Sequence, residues 1–304
     1  IRTFGGEKGR AMQGNSLMKT AVLLGLFDGV HRGHAAALEA LRDACVAGKR
    51  LVYTFPSASL DTKGQRKLLL TDDEKRQKLL SMGADEVVFA DFESVRNMTA
   101  QEFAEKVLKD RLGADCVICG ENFRFGAGAS ADTRDLQRIL GGMGIRFVCV
   151  PIVYFGGEPI STTRIRALIE DKKIKEANSL LGYGYTLCGK VVHGNSLGRK
   201  MGIRTINTLY PPEKLLPPNG VYSSSVVIQR RVYKGVTDIG TKPTVSDAGN
   251  EGIETHILDY DGDLYGKTVS IIFNDYYREE KKFSSQAELI EVISADIQRR
   301  KEES

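Results

Sequence analysis

Two histidines lie in a turn that is typical of phosphate binding. The segment from Gly25 to His34 reads Gly-Leu-Phe-Asp-Gly-Val-His-Arg-Gly-His and follows the apolar run from Ala21 to Leu24. A buried strand can end here and a helix can begin at Gly33, which His31 and His34 flank. A helix N-terminus attracts anions, and glycine lets a phosphate approach the backbone closely. Because two imidazoles there could donate hydrogen bonds to phosphoryl oxygens, the turn indicates a nucleoside triphosphate held for attack at phosphorus.

The same histidine pair could instead hold a metal ion. Side chains three positions apart share one face of a helix, which is a common spacing for metal ligands. The chain has four histidines, but no cysteine or second histidine pair lies near His31 and His34 in the sequence to complete such a site. We therefore favour phosphate binding, a reading that depends on the structural context of the motif.

Strand and helix patterns alternate through the first half of the chain and would position this turn. Apolar strand candidates occur at 21–27, 50–55, 86–90, 115–119 and 145–150. Helical patterns lie between them at 34–47, 72–82, 99–111 and 132–141, and Thr99 with Glu102 forms a predicted capping box. This alternation predicts an α/β doubly wound parallel sheet, whose ligands bind beyond the carboxyl ends of the strands.

A second glycine-bounded turn, from Gly120 to Gly126, follows the strand candidate at 115–119. Since it follows a strand as the histidine turn does, both turns should open onto the same edge of the sheet. Phe123 and Phe125 could stack on a planar ligand, and Arg124 could pair with a phosphate. The alternative is an ordinary turn with two buried phenylalanines.

Three hydroxyl residues and two arginines form a third element. Ser161, Thr162 and Thr163 precede a helix that the sequence predicts from Arg164 to Asp171. Hydroxyl groups and Arg166 at a helix N-terminus could bind a further phosphate. A helix cap explains Ser161 by itself, but it does not explain the whole cluster.

The pattern changes from Tyr183 onward. Short apolar runs at 186–192, 221–228, 232–239, 253–258 and 268–273 are separated by Gly, Pro, Asn and Asp. Such punctuated strands predict an antiparallel β-barrel, and a helix from Gln286 to Arg300 follows it. The short link at 172–185 is a plausible domain boundary.

This half contains oxygen ligands at a spacing that suits Mg²⁺. Thr205 and Asn207 are two positions apart, so on a strand they would face the same side. A hydroxyl and an amide oxygen are hard ligands of the kind that Mg²⁺ prefers. Glu254 by itself would more often be a solvated surface carboxylate.

Composition limits the classes of protein to which the chain can belong. Its 304 residues suggest two domains, and 41% hydrophobic and 27% charged residues are ordinary for a globular protein. A formal net charge of +4 is too small to indicate a nucleic-acid or membrane partner, and no apolar stretch is long enough to span a bilayer. The sequence does not indicate an oligomeric state.

Five scattered cysteines and the first residues complete the sequence-based expectations. An odd number of cysteines suits reduced thiols in the cytoplasm, and the Cys-x-x-Cys pair Cys116 and Cys119 lies in a predicted buried strand, which favours core packing. The glycine-rich, polar residues 1–17 are expected to be a disordered extension, with Met18 a possible native start.

In this order and spacing, the three motifs of the first half resemble prokaryotic bifunctional riboflavin kinase/FMN adenylyltransferase, also called FAD synthetase. The resemblance covers residues 19–304, and the glycine-rich motifs around Gly194 resemble the riboflavin kinase module of that family. It implies a nucleotidyltransferase domain over 18–182 and a riboflavin kinase barrel over 183–304. The implied cofactor is Mg²⁺, and the implied small-molecule partners are riboflavin, FMN, FAD and the co-substrate ATP.

The resemblance also assigns roles to individual residues. The implied catalytic residues are His31, His34, Ser161, Arg166 and Glu254, with Thr205 and Asn207 as ligands of Mg²⁺. The implied nucleotide and flavin contacts are Phe27, Asp28, Gly29, Gly33, Asn122, Phe123, Arg124, Thr162, Thr163, Gly194, Gly198 and Arg199.

The implied chemistry differs between the two domains. In the first, the phosphate of FMN attacks the α-phosphorus of ATP and pyrophosphate leaves. That nucleophile is already an anion, so positioning and charge neutralisation suffice. In the second, the ribityl 5′-hydroxyl of riboflavin attacks the γ-phosphorus of ATP, and Glu254 would serve as the base.

The sequence departs from the family pattern in three places, of which Arg204 leaves one alternative open. Arg204 replaces a common proline, Leu26 replaces a common asparagine, and Phe55-Pro56-Ser57-Ala58 replaces a usual Asp-Pro-His-Pro-like stretch. Proline fixes φ, so its loss at Arg204 could loosen the kinase site, or the guanidinium could add a phosphate contact. The alternative is an FMN adenylyltransferase whose second domain only binds flavin or regulates.

Overall fold

A computed structural model of the protein describes residues 20–60, 67–193, 204–241, 251–281 and 283–303. The extension expected at 1–17 lies outside these ranges. So do three of the implied ATP contacts, Gly194, Gly198 and Arg199.

The first domain is built on a five-stranded parallel sheet, which confirms the predicted fold class. Its strands are β1 (Thr20–Leu24), β2 (Lys49–Thr54), β3 (Glu86–Phe89), β4 (Cys116–Gly120) and β5 (Arg146–Val150). They lie in the order β3-β2-β1-β4-β5. The strand order therefore reverses between β1 and β4, and a ligand crevice forms beyond the carboxyl ends of strands at such a point.

Helices cover both faces of this sheet. They are α1 (Arg32–Ala44), α2 (Asp72–Ser81), α3 (Ala100–Glu102, continued by a π-helix over Phe103–Arg111) and α4 (Thr133–Gly142). Val22 and Leu24 of β1 pack with α3 and α4, whereas Ala21 and Leu23 pack with α1 and α2. The alternating residues of one strand thus contribute to two apolar layers, as period-two geometry requires.

The starts of α2 and α3 agree with the sequence-based predictions, but the π-helical winding that continues α3 was not predicted. Thr99 and Glu102 form the predicted capping box, and Thr71 with Glu74 forms another at the start of α2. After Glu102 the backbone continues as a π-helix. The sequence could not distinguish the two windings, because the buried residues of this segment would face the sheet in either helix.

Two helices and a short hairpin connect the domains. The hairpin strands are β6 (Tyr154–Phe155) and β7 (Glu158–Pro159), and the helices are α5 (Thr162–Glu170) and α6 (Ile174–Leu181). The sequence did not predict the hairpin. Helix α5 begins at Thr162 and not at Arg164, because Ser161 is its N-cap and the two threonines form its first turn.

The second domain is a closed six-stranded antiparallel barrel, again as predicted in class. Its strands are β8 (Tyr185–Val192), β9 (Thr205–Leu209), β10 (Gly220–Ile228), β11 (Arg231–Thr241), β12 (Glu251–Ile257) and β13 (Thr268–Arg278). They follow the ring order β10-β11-β12-β9-β8-β13, and helix α7 (Gln286–Glu302) comes after them. The apolar runs predicted five of these strands and not β9, which carries Thr205 and Asn207.

The connecting helices share an apolar core with the barrel. Ile165 and Ile169 of α5 and Leu180 of α6 belong to one buried cluster with Leu187 and Phe273 of the barrel. The segment between the domains is therefore a packed interface. Within the described ranges, no helix has the length and apolarity needed to cross a membrane.

Candidate active sites

The histidine turn lies at the carboxyl end of β1, at the point where the strand order reverses. Three of its residues adopt positive φ angles, +52° at Phe27, +78° at Gly29 and +34° at Val30. The side chains of Phe27 and Val30 are buried and hold this unusual path in place. Backbone strain of this kind is concentrated at ligand sites.

The imidazoles of His31 and His34 are stacked, with ring centroids 3.8 Å apart and planes inclined by 17°. His31 is only 6% exposed, and the ring of Phe27 packs edge-on against His34 at 5.1 Å. The Nδ1 atoms of both histidines are buried and have no hydrogen-bond partner among the described residues. Buried polar atoms are normally paired, so this pair of orphaned nitrogens points to a ligand.

Burial favours the uncharged form of both imidazoles. It lowers the pKa of His31 to about 4 and lowers the pKa of His34 well below its usual value. Electrostatic repulsion from His31 and Lys75 lowers the pKa of His34 further. A neutral imidazole carries one N–H donor. Gly33 leaves room for this arrangement, because a Cβ there would lie 3.1 Å from the Nδ1 atom of His31.

The start of α5 is joined to the histidine turn. The Thr162 hydroxyl donates a 3.1 Å hydrogen bond to the carbonyl of Asp28, and the buried guanidinium of Arg166 forms an ion pair with the Asp28 carboxylate. Ser161 caps the helix by accepting from the amide of Arg164 at 3.2 Å. The structure thus brings together the first and third sequence motifs, which are more than 130 residues apart.

The second turn contributes a more open part of the same edge. Strands β1 and β4 are neighbours, so both turns lie beyond the same ends of the sheet, as predicted. Phe125 is buried and Phe123 is half-buried, and their rings stack at 5.9 Å. The exposed Arg124 donates a 3.2 Å hydrogen bond to the carbonyl of Ala129, and Asn122 is also exposed. Phe125 belongs to the core of the first domain and Phe123 packs against that core, whereas the two polar side chains are exposed. A role of this turn in ligand binding stays a prediction.

Sequence reasoning missed Lys75, a buried cation close to the histidines. Its ammonium donates to the carbonyl of Phe55 at 3.0 Å and to the hydroxyl of Ser57 at 3.2 Å, and it pairs with Asp72 at 3.2 Å. Burial lowers its pKa. These contacts hold the loop after β2, where the sequence departs from the family pattern. No local signal distinguishes Lys75 from the other charged residues of α2.

The second candidate site lies on β9 and β12. Asn207 and Glu254 are directly paired across these strands, and Thr205 is paired with His256. Thr205 and Glu254 line a cavity between the barrel and α7. The strand register therefore brings together Thr205, Asn207 and Glu254, three of the residues of this half that the sequence selected.

Further acidic groups and an apolar wall line the same cavity. Asp238 lies opposite Glu254 on β11, and burial, with the nearby charges of Glu280 and Glu254, raises its pKa to about 6. The apolar lining is Val221, Val236, Phe283, Leu289 and Ile293. The cavity thus offers an apolar wall beside a group of carboxylates.

Arg204 precedes β9, and both its guanidinium and its main-chain carbonyl contact other residues. Its guanidinium donates to the carbonyl of Asp261 at 3.2 Å, and its own carbonyl lies 2.8 Å from Nδ1 of His256. These two bonds fix the entry to β9 at the position where proline is common in the family. The arginine side chain is exposed.

In the part of the chain that the structure describes, no three His, Cys, Asp or Glu side chains cluster closely enough to hold a metal ion. Thr205 and Asn207 are donors of another type, a hydroxyl and an amide oxygen. Sites for Mg²⁺ commonly use few protein ligands and complete their coordination with substrate phosphates and water. The donor set on β9 fits that kind of site.

Comparisons with known proteins match both halves of the chain. Residues 14–164 match the FAD synthetase family model, and residues 181–303 match the riboflavin kinase family model. The bifunctional riboflavin kinase/FMN adenylyltransferase of Pseudomonas fluorescens is 32% identical over 284 residues, covering 90% of this chain and 89% of that protein. The protein of the same name from Escherichia coli strain K12 is 34% identical over 282 residues, with coverage of 90% and 89%.

A solved structure covers the two domains together. It is that of a Streptococcus pneumoniae protein described as a macrolide-efflux protein, which is 30% identical and superimposes with a TM-score of 0.86. The superposition covers 95% of this chain and 96% of that one. The arrangement of a parallel-sheet domain followed by a barrel is therefore shared by both chains along nearly their full length.

Proposed function

The chain belongs to the bifunctional riboflavin kinase/FMN adenylyltransferase family, and we propose on this premise that its two sites divide the two reactions between two domains. The enzyme phosphorylates riboflavin to FMN with ATP and then joins FMN to the adenylyl group of ATP, which gives FAD and pyrophosphate. Our proposal places adenylyl transfer in residues 18–182 and riboflavin phosphorylation in residues 183–304. The two family matches, over 14–164 and 181–303, support this division.

The observation that carries the first assignment is the stacked histidine pair at the start of α1, whose buried Nδ1 atoms have no hydrogen-bond partner among the described residues. In our proposal the triphosphate of ATP lies over this helix N-terminus, and the N–H groups of His31 and His34 donate to its oxygens. A phosphate of FMN then attacks the α-phosphorus, and the bond to pyrophosphate breaks. Fixed donors in a water-poor site stabilise the charge that develops in such a transfer.

The surrounding residues would position the two substrates. The path of Phe27, Gly29 and Gly33 brings the backbone close to the phosphates, and Asp28 orients Arg166 through their ion pair. Ser161, Thr162 and Thr163 form the N-terminal turn of α5, a second place where a phosphate can be held. The remaining proposed contacts on the crevice edge are Asn122, Phe123 and Arg124.

In the second domain, Glu254 is the proposed base. Its carboxylate would accept the proton of the ribityl 5′-hydroxyl as that oxygen attacks the γ-phosphorus of ATP and ADP leaves. Thr205 and Asn207 would hold Mg²⁺, which neutralises phosphate charge when bound. The apolar wall of the cavity suits a flat ring such as that of riboflavin. Gly194, Gly198 and Arg199 remain proposed ATP contacts and lie outside the described residues.

The alternative of a non-catalytic second domain is not favoured by the comparisons, because residues 181–303 match the riboflavin kinase family. The arrangement of Thr205, Asn207 and Glu254 supports the same conclusion. The two hydrogen bonds of Arg204 hold the entry to β9 in place of the missing proline.

We therefore expect riboflavin phosphorylation to remain active with Arg204 in place. Arg204→Pro keeps the carbonyl that contacts His256 but loses the bond to Asp261. Proline would lower the cost of ordering the entry to β9 by about 0.4–1 kcal/mol, so the resulting change in Mg²⁺·ATP binding should be small. The measurement is FMN formation from riboflavin and ATP across a range of Mg²⁺ concentrations, for the parent enzyme, Arg204→Pro and the control Arg204→Ala. An inactive parent at every concentration, together with an active Arg204→Pro, would refute the two-activity assignment.

A further inference from the structure

A segment of the first domain is bound by the barrel. Leu68 forms a parallel bridge with Lys214, which lies in the loop between β9 and β10. The amide of Leu68 donates to the carbonyl of Glu213 at 2.7 Å, and the amide of Leu215 donates to the carbonyl of Leu68 at 2.8 Å. Residues 67–70, named here the bridging segment, are therefore held by backbone hydrogen bonds to the second domain.

A buried ion pair reinforces this junction. The Lys214 ammonium pairs with the Glu74 carboxylate, and the two side chains are 1% and 18% exposed. The same Glu74 oxygen accepts a 2.8 Å hydrogen bond from the amide of Thr71, which closes the capping box of α2. The Glu74 carboxylate, which lies just after the bridging segment, thus has the Thr71 amide and the Lys214 ammonium as partners. Removing Lys214 would leave this largely buried negative charge without its cation.

The other side of the bridging segment contacts the adenylyl-transfer site. The guanidinium of Arg166 donates from Nε to the carbonyl of Lys67 at 3.0 Å. The amide of Leu69 donates to the carboxylate of Asp28 at 3.3 Å, and Leu69 also packs beside Gly29. The two site residues that form the Asp28–Arg166 ion pair therefore each take a further partner from this segment.

From these contacts we infer that Lys214, a residue of the kinase domain, is a positioning residue for adenylyl transfer. It holds Glu74 and the bridging segment, and the bridging segment in turn holds Asp28 and Arg166 against the histidine turn. The inference rests on the proposed placement of adenylyl transfer in the first domain. It gives the barrel a role in FAD formation that is separate from its own chemistry.

The variant Lys214→Met, made in the full chain, tests this inference. Turnover of FMN to FAD is expected to fall by about 10- to 100-fold, because small displacements of positioning groups have effects of this size. Riboflavin phosphorylation should stay near the parent level, because Lys214 does not line the cavity that holds Glu254. Both reactions are measured on the same preparation, with kcat and KM for each substrate and the thermal midpoint.

A second variant separates positioning from stability. Lys214→Met/Glu74→Gln removes both charges, so the thermal midpoint should recover while FAD formation stays low, since the side-chain link to the barrel is still absent. The matched control is Lys172→Met, which breaks another ion pair between the domains, with Glu279, that does not contact the bridging segment. It should leave both reactions unchanged.

Three results would overturn the inference. The first is FAD formation at the parent level in Lys214→Met. The second is FAD formation that recovers together with the thermal midpoint in the double variant. The third is an equal fall of both reactions in both variants. A parent enzyme that makes no FAD from FMN in the same assay would instead refute the proposed function, and the inference with it.

Discussion

Glu254→Gln is expected to lower FMN formation from riboflavin by ~10²–10⁴-fold, the usual cost of losing a general base. The substitution keeps the shape of the side chain and removes only its ability to take up the proton of the ribityl hydroxyl. Synthesis of FAD from supplied FMN should continue, because the histidine site lies in the other domain. The measurement is the initial rate of each reaction on one purified preparation.

The matched control for this variant is Glu279→Gln. Glu279 is a carboxylate of the same domain that pairs with Lys172 and does not line the cavity. It should leave riboflavin phosphorylation unchanged. If Glu254→Gln retained the parent rate, the base would have to be another group. If Glu254→Gln reduced both reactions equally, the loss would reflect misfolding or a single shared site.

His34→Ala is expected to lower FAD formation from FMN and ATP by ~10²–10³-fold, the usual effect of removing one donor to a developing charge. The variant also removes the stacked partner of His31, so the remaining imidazole loses its fixed orientation. FMN formation from riboflavin should persist. Initial rates of both reactions, with each substrate varied, check this expectation.

The control for this substitution is His193→Ala. His193 stacks on Tyr265 at 3.8 Å in the second domain and does not belong to the histidine turn. It should leave FAD formation at the parent rate. Full FAD formation by His34→Ala would show that the assignment of the histidine turn is wrong.

Much of the fold could be predicted because its signals are local. The apolar run from Ala21 to Leu24 marks a strand buried on both faces, and Thr99 with Glu102 marks a helix start. Strand β9 was not predicted because it is only five residues long and three of its residues are polar, so it forms no apolar run. The hairpin at Tyr154–Pro159 was not predicted because its strands are only two residues long.

From the sequence, only the types of the site residues and their spacing along the chain could be used to predict the site. The sequence selected Arg166 as a phosphate ligand, but it could not show that Asp28 is its ion-pair partner. Lys75 and Lys214 gave no signal, because each has its role through contacts with residues that are distant in the sequence or in another element. Pairings of this kind depend on how strands, helices and domains pack together, which a single sequence does not encode in any local pattern.

In the proposed function, one chain carries two separate sites that act in sequence. Mixing the Glu254→Gln and His34→Ala variants tests it most directly, with riboflavin, ATP and Mg²⁺ as the only substrates and ion supplied. We expect Glu254→Gln alone to form little FMN, His34→Ala alone to accumulate FMN, and the mixture to form FAD from FMN that passes through solution. A mixture that forms no more FAD than the two variants form separately would contradict the claim.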